Sequence, residues 1–145
     1  MDRPDPAEEA SHRELMAGLG LYDADWALAK SVELSDVQAG QNRLLLLRQP
    51  VRAGSIPRLF PEVEQLDDTG KKNAQNTVRV TLLYAGGVEK EGGLVFLNSN
   101  QAYRINGPGW RQFVAESGIS RRDRLDLYTC RRGDDGQRCI FVFKS

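Results

Sequence analysis

The sequence predicts a mostly-β domain: a small barrel or sandwich of seven short strands whose ends are plugged by helices. Strict alternation is one sign. Val78, Val80, Leu82 and Tyr84 alternate with Arg79, Thr81 and Leu83, the period of a half-buried strand. Paired turn signals are the second. Ala85-Gly86-Gly87 and Gly92-Gly93 bracket a polar hairpin tip, and Arg131-Arg132-Gly133-Asp134-Asp135-Gly136 turns another between Leu125-Asp126-Leu127-Tyr128 and Ile140-Phe141-Val142-Phe143. The third is one bounded helix: Trp110, Phe113 and Val114 repeat at i, i+3, i+4 between Gly107-Pro108 and Gly118.

Taken in order, the chain opens with a helix. Asp5 is its N-cap, Pro6 suits the first helical position and Glu8 stands where a capping-box acid belongs. Leu15, Met16 and Leu19 form a short apolar stripe, ended by Gly18 or Gly20. Strands are expected at 27–34, 43–48, 77–84, 93–97, 102–105, 124–131 and 138–144. Ser55 to Phe60 makes one brief helical turn, stopped by Pro61, and 65–76 reads as a polar loop. Residues 1–26 are therefore an acidic, helical segment and 27–145 the domain proper.

A chain of 145 residues with 40% hydrophobic and 28% charged side chains can bury a core without disulfides or metal. It has no apolar run of about 18 residues, so no helical membrane span is expected. No basic stretch leads into an apolar one at the start, and an intracellular setting is the expectation. Overall charge balances, but residues 1–29 hold seven acids against two bases, net −5, leaving +5 on the remainder. That excess is mostly arginine, which makes bidentate contacts to phosphates and base edges. An arginine-rich solvated surface explains the same numbers.

Enzyme chemistry finds little support. The single histidine, His12, lies in the acidic helix as a surface residue, away from any nucleophile. No phosphate-cradling glycine loop is present, and Pro108 removes a donor from Gly107-Pro108-Gly109. Asp67-Asp68 and Asp134-Asp135 sit in turn-like surroundings, where acids are usually solvated. One histidine and two cysteines leave no metal site, and no cofactor or small-molecule substrate is implied. Cys130 and Cys139 fall opposite each other if the last turn centres on Asp134-Asp135; a disulfide is conceivable, free thiols being the expectation in a reducing compartment.

Two polar segments suit nucleic acid. Lys30-Ser31-Val32-Glu33-Leu34-Ser35-Asp36-Val37-Gln38-Ala39-Gly40-Gln41-Asn42-Arg43-Leu44 joins two strands with amides, hydroxyls and an arginine, and Asn98-Ser99-Asn100-Gln101-Ala102-Tyr103-Arg104-Ile105-Asn106 repeats the recipe. Amides and arginines read base edges; hydroxyls and cations hold phosphates.

These segments resemble the plant B3 DNA-binding domain of plant transcription factors. Lys30, Val32 and Ser35-Asp36-Val37 match its opening pattern, and Asn42-Arg43-Leu44 its Asn-Arg-Leu. Phe60-Pro61 matches its Phe-Pro, Asn98-Ser99-Asn100-Gln101-Ala102-Tyr103 its Asn-Ser-Ser-Gln-Ser-Tyr, Gly109-Trp110 and Phe113-Val114 its second helix, and Asp123 with Leu125-Asp126-Leu127-Tyr128 the strand after it. The likeness runs from about residue 27 to 143. It implies a seven-stranded open pseudobarrel with two short helices, and sequence-specific binding of double-stranded DNA in the major groove by a nuclear transcription regulator. The first arm would be residues 35–44 and the second 97–106. Gln41, Asn42 and Arg43 would read bases. Lys30 and Ser35 would hold phosphates, as would Asn98, Ser99, Asn100 and Arg104, with Asn106 at the second arm's end. Asp36 would brace its own loop, and Tyr103, Trp110 and Phe113 would be core. The sequence departs from the family pattern in a first arm one residue longer, in Leu97 for Trp, in Arg122 for the glycine before Asp123, and in the added charges Glu33 and Arg104. A protein-interaction module on the same scaffold, with weakened DNA binding and protein partners instead, is the rival reading.

Overall fold

The computed structural model describes residues 1–65, 77–97 and 101–145. All seven strands join one sheet in the order β1-β6-β7-β3-β4-β5-β2: β1 (Leu21–Ser31), β2 (Arg43–Leu47), β3 (Val78–Tyr84), β4 (Val88–Leu97), β5 (Ala102–Asn106), β6 (Arg124–Arg132) and β7 (Gln137–Lys144). Among the described residues only β3 and β7 pair in parallel. The sheet curls so that its two edges, β1 and β2, face one another without pairing; Lys30 on β1 donates to the Leu45 carbonyl on β2 across the gap. This is the mostly-β, open barrel-like architecture expected.

Side-chain alternation builds the core. Leu44 and Leu46, Val80 and Leu82, Tyr103 and Ile105, Leu125 and Leu127, and Ile140 and Val142 all point inward and are buried. The helices close the barrel. These are α1 (Pro6–Gly18), α2 (Leu34–Val37), α3 (Arg48–Ala53), α4 (Ile56–Leu59), α5 (Glu62–Gln65) and α6 (Pro108–Ser117). Helix α6 buries Trp110 and Phe113, stacked at 5.9 Å, and ends on Gly118 at φ +74°. Helices α4 and α6 sit where turn residues place them; α2, α3 and α5 are additional to the expected pair, each too short to form without tertiary contacts.

At the N-terminus the Asp5 side chain accepts from the Glu8 amide at 2.9 Å and Pro6 opens α1, as expected. The expected stripe is corrected. Only Met16 is buried, while Leu15 and Leu19 are 42% and 58% exposed. His12, expected at the surface, instead completes the docking face one turn before Met16. Its ring stacks on Phe143 at 3.9 Å and its Nδ1 lies 2.9 Å from the Tyr128 hydroxyl. Met16 joins Leu21, Leu83, Tyr128, Cys130, Cys139 and Phe141 in a second cluster on the outer face of the sheet.

Three further positions differ from expectation. Strand β1 starts at Leu21, so the division at residue 26 falls inside a strand. Residues Gly92 and Gly93 lie within β4, and the hairpin tip is confined to 85–87. The loop expected at 65–76 begins with Gln65 in α5, and the rest, with Asp67 and Asp68, falls outside the described residues. Cys130 and Cys139 are directly paired in register and are buried free thiols.

The first turn of α6 lies against β4. A Cβ on Gly109 would meet the Glu91 carbonyl oxygen at 1.6 Å, a backbone atom that cannot step aside. Replacing Gly109 by Ala is expected to cost about 3 kcal/mol as helix and strand are forced apart, measured as a lowered urea midpoint with an unchanged slope.

Candidate nucleic-acid interface

The first arm is organised by one buried carboxylate. Asp36, in α2, has a fully buried side chain. Its Oδ1 accepts from Arg43 at 3.0 Å, Lys30 at 3.1 Å and the Leu45 amide at 3.1 Å, and its Oδ2 accepts from the Glu33 amide at 2.9 Å. The Asp36 carbonyl accepts from the Trp110 indole at 2.8 Å, tying the arm to α6. Lys30 meanwhile donates to the Leu45 carbonyl. The edge of β2 thus has its amide and carbonyl at Leu45 satisfied by side chains instead of by a neighbouring strand. A buried charge is tolerated only when so partnered.

Beyond α2 the chain turns at Gln38–Gln41, where the Gln41 amide donates to the Gln38 carbonyl at 3.0 Å. Asn42 follows at φ +50°, a conformation Asn tolerates better than most residues. Its carbonyl accepts from the Gly107 amide at 3.1 Å. Its buried Oδ1 has no hydrogen-bond partner among the described residues and lines a cavity of about 20 Å³ beside Trp110 and Arg111. Asn42 therefore fixes the arm's return into the sheet.

The second arm leaves β4 at Leu97 and re-enters at Ala102. Because β5 runs antiparallel to both β4 and β2, Leu47 and Leu97 both pair with Ala102, while Arg43 and Gly93 pair with Asn106. The two arms therefore flank opposite ends of the β2–β5 ladder, with its outward face between them. That face carries Arg43, Leu45, Arg104 and Asn106, since the intervening Leu44, Tyr103 and Ile105 point into the core. Tyr103 anchors the base of the second arm. Its hydroxyl donates to Glu64, which also accepts from Arg52 at 2.8 Å. Burial, reinforced by the Glu64 hydrogen bond, pushes the Tyr103 hydroxyl up to about 12. Burial alone would raise the Glu64 carboxyl; the donors Tyr103 and Arg52 outweigh it and hold it below the usual range.

The expected site residues thus separate into groups. Lys30 and Arg43 converge on Asp36, with side chains only 14% and 15% exposed. Gln41 is exposed at the arm's tip and Ser35 half-buried on α2, and no side-chain partner is seen for either among the described residues. Arg104 and Asn106 lie on the ladder face; the buried Nε of Arg104 has no partner among the described residues. Asn98, Ser99 and Asn100 fall outside those residues. Sequence reasoning placed Asp36 as a brace but not the capture of both cations by it, because ion pairing across a barrel seam has no local signature.

No family model matches the sequence, and no curated protein matches it closely enough to count as a relative. Among solved structures, an Arabidopsis FUS3–DNA complex matches with a TM-score of 0.54 at 14% identity, covering 83% of this chain and 98% of that one. The fold is B3-like. At that identity the likeness concerns backbone architecture alone.

Replacing Asp36 by Asn removes the charge while keeping the shape. It leaves Lys30 and Arg43 half-buried without a counter-ion, and is expected to destabilise the protein by about 3–5 kcal/mol, read from urea unfolding.

Proposed function

We propose that this chain is a sequence-specific double-stranded DNA-binding module that clasps the major groove between its two arms, acting in the nucleus as a plant transcription regulator. The observation that carries the reading is the pre-built platform between the arms. The β2–β5 ladder carries Arg104 and Asn106 on its outward face, and Asp36 locks the first arm onto it through Arg43, part of whose guanidinium stays accessible. The B3-like fold and the DNA in the FUS3 structure support it.

Roles follow from exposure and partners. Gln41 at the tip and Asn106 on the ladder contact base edges through their amides. Ser35 and Arg104 contact phosphates, as do Asn98, Ser99 and Asn100 on the second arm. Lys30 positions the arm through Asp36 and the Leu45 carbonyl. Arg43 keeps the donors that Asp36 does not use for a base edge, with its guanidinium fixed before DNA arrives. Asn42 sets the backbone bend that aims Gln41. No cofactor and no catalytic step enter this scheme.

Selection from random duplexes, followed by anisotropy titration of the winner, tests the proposal. Contact with about five phosphates gives a log–log salt slope near −4 to −5. Absence of salt-dependent binding to every duplex favours the protein-interaction reading instead. Gln41→Ala, at an exposed site, should leave the melting temperature unchanged. It should cost about 1–3 kcal/mol of binding and relax preference at one base position. Unchanged affinity and preference would remove Gln41 from the readout.

A further inference from the structure

The turn before β6 carries two arginines that the two-arm scheme does not use. Ser120, Arg121, Arg122 and Asp123 form a tight turn. The Asp123 amide donates to the Ser120 carbonyl at 3.1 Å, and the Asp123 carboxylate accepts from the Ser120 amide at 2.8 Å. The turn is fastened to the first arm. The Arg122 amide donates to the Val32 carbonyl, and the Val32 amide to the Asp123 carbonyl, both at 2.8 Å. Val32 is the buried residue from which the chain enters α2.

Both side chains are exposed, and neither has an ion-pair partner among the described residues. They form one wall of an open groove of about 430 Å³, whose other wall is the first arm at Leu34, Ser35 and Gln38. Among the described residues Glu33 is the one acid on its lining, so two guanidinium groups face a single carboxylate there. Arg122 sits at φ +77°. A branched or long side chain rarely adopts that conformation, which glycine takes freely. Strained residues of this kind persist where the surroundings hold them, and they gather at functional sites. Here the Val32 hydrogen bonds hold the backbone, and they keep a guanidinium at a position that glycine would occupy with less strain. On the far side of the arm, Arg111 at the start of α6 lines the small cavity with Gln38 and Asn42; it too is exposed and has no ion-pair partner among the described residues.

We propose that Arg121 and Arg122 form a third contact element, gripping the phosphate backbone of duplex DNA alongside the first arm. This rests on the DNA-binding reading above. The arms supply recognition. The turn supplies charge, and its fixed hydrogen bonds to Val32 hold that charge in register with Ser35 and Gln38. Contacts to phosphate position a protein without carrying sequence information, so the pair adds affinity and salt dependence and leaves base preference alone.

The test compares wild type, Arg121→Ala and the double variant Arg121→Ala/Arg122→Gly on a pool of mixed-sequence duplexes, titrated between about 50 and 200 mM salt. Glycine relieves the backbone at 122, so the double variant should melt no lower than wild type. Its salt slope should be shallower by about two ion equivalents, and its affinity at 0.1 M salt should fall roughly ten- to a hundredfold. Arg121→Ala, which leaves the turn's backbone untouched, should show about half of each change. Base preference on a selected duplex should be retained by all three proteins. An unchanged slope in both variants, with wild type binding normally, overturns the third element and leaves the two-arm reading standing. Lost base preference overturns the phosphate role. Wild type that shows no salt-dependent binding overturns both readings together.

Discussion

A barrel left open between two edge strands must satisfy those edges or lose them to other chains. In this protein the solution is one carboxylate. Asp36 stands in for the missing strand at the seam, taking the Leu45 amide of β2 while holding Lys30 of β1 and Arg43 of β2. The arrangement works only as a set. Lys30 reaches the Leu45 carbonyl because Asp36 neutralises it, and Asp36 is stable in the interior because two cations and two amides surround it. The same residue hands its carbonyl to Trp110, so that seam, first arm and α6 share a single anchor. Arm geometry is therefore a consequence of barrel closure.

The parts of this design that were legible in the sequence are those decided locally. Strand β3 shows its alternation because Val78, Val80 and Leu82 meet the barrel core and the register to β4 is unbroken, although Thr81 and Leu83 on its other face are buried as well. Helix α6 is visible because Pro108 and Gly118 bound it and Trp110 and Phe113 define its face. Strand β6 is harder, because Leu125 and Leu127 enter the barrel while Tyr128 and Cys130 are buried beneath α1. The start of β1 hides in Tyr22-Asp23-Ala24-Asp25, a polar stretch with a register shift between Tyr22 and Asp25 that pairing with β6 nevertheless holds as strand. Gly92 and Gly93 read as turn formers, yet they sit inside β4 because neighbours approach closely. A Cβ at Gly93 would meet Thr77 at 2.4 Å.

The site divides along the same line. Residue types were enough to mark the two arms, since amides, hydroxyls and arginines cluster there in sequence. Which cations remain available to a ligand depends on partners from distant segments. Lys30 and Arg43 look free when read along the chain and are half-buried ion-pair members in the fold. Arg121 and Arg122, by contrast, lie outside either arm in sequence and come beside the first arm through hydrogen bonds to Val32.

Charge balance then acquires a direction. The acids of the first 29 residues are drawn toward arginines: Glu9 pairs with Arg3 and Arg13, Asp25 with Arg58, and Asp23 approaches Arg131 at 4.0 Å. Arg132 and Arg138 are likewise taken, by Glu89 and Glu62 at 2.7 Å each. Those pairs join residues of α1, β1, α4, α5, β4, β6 and β7, and they neutralise the arginines there. On the ladder and around the first arm, Arg104, Arg111, Arg121 and Arg122 have no such partners among the described residues. A chain with zero formal charge therefore still carries, among its described residues, arginines without an ion pair on the ladder and beside the first arm. Local potential, not net charge, steers an anionic ligand, and here the unpaired arginines gather around the platform that the buried Asp36 holds in shape.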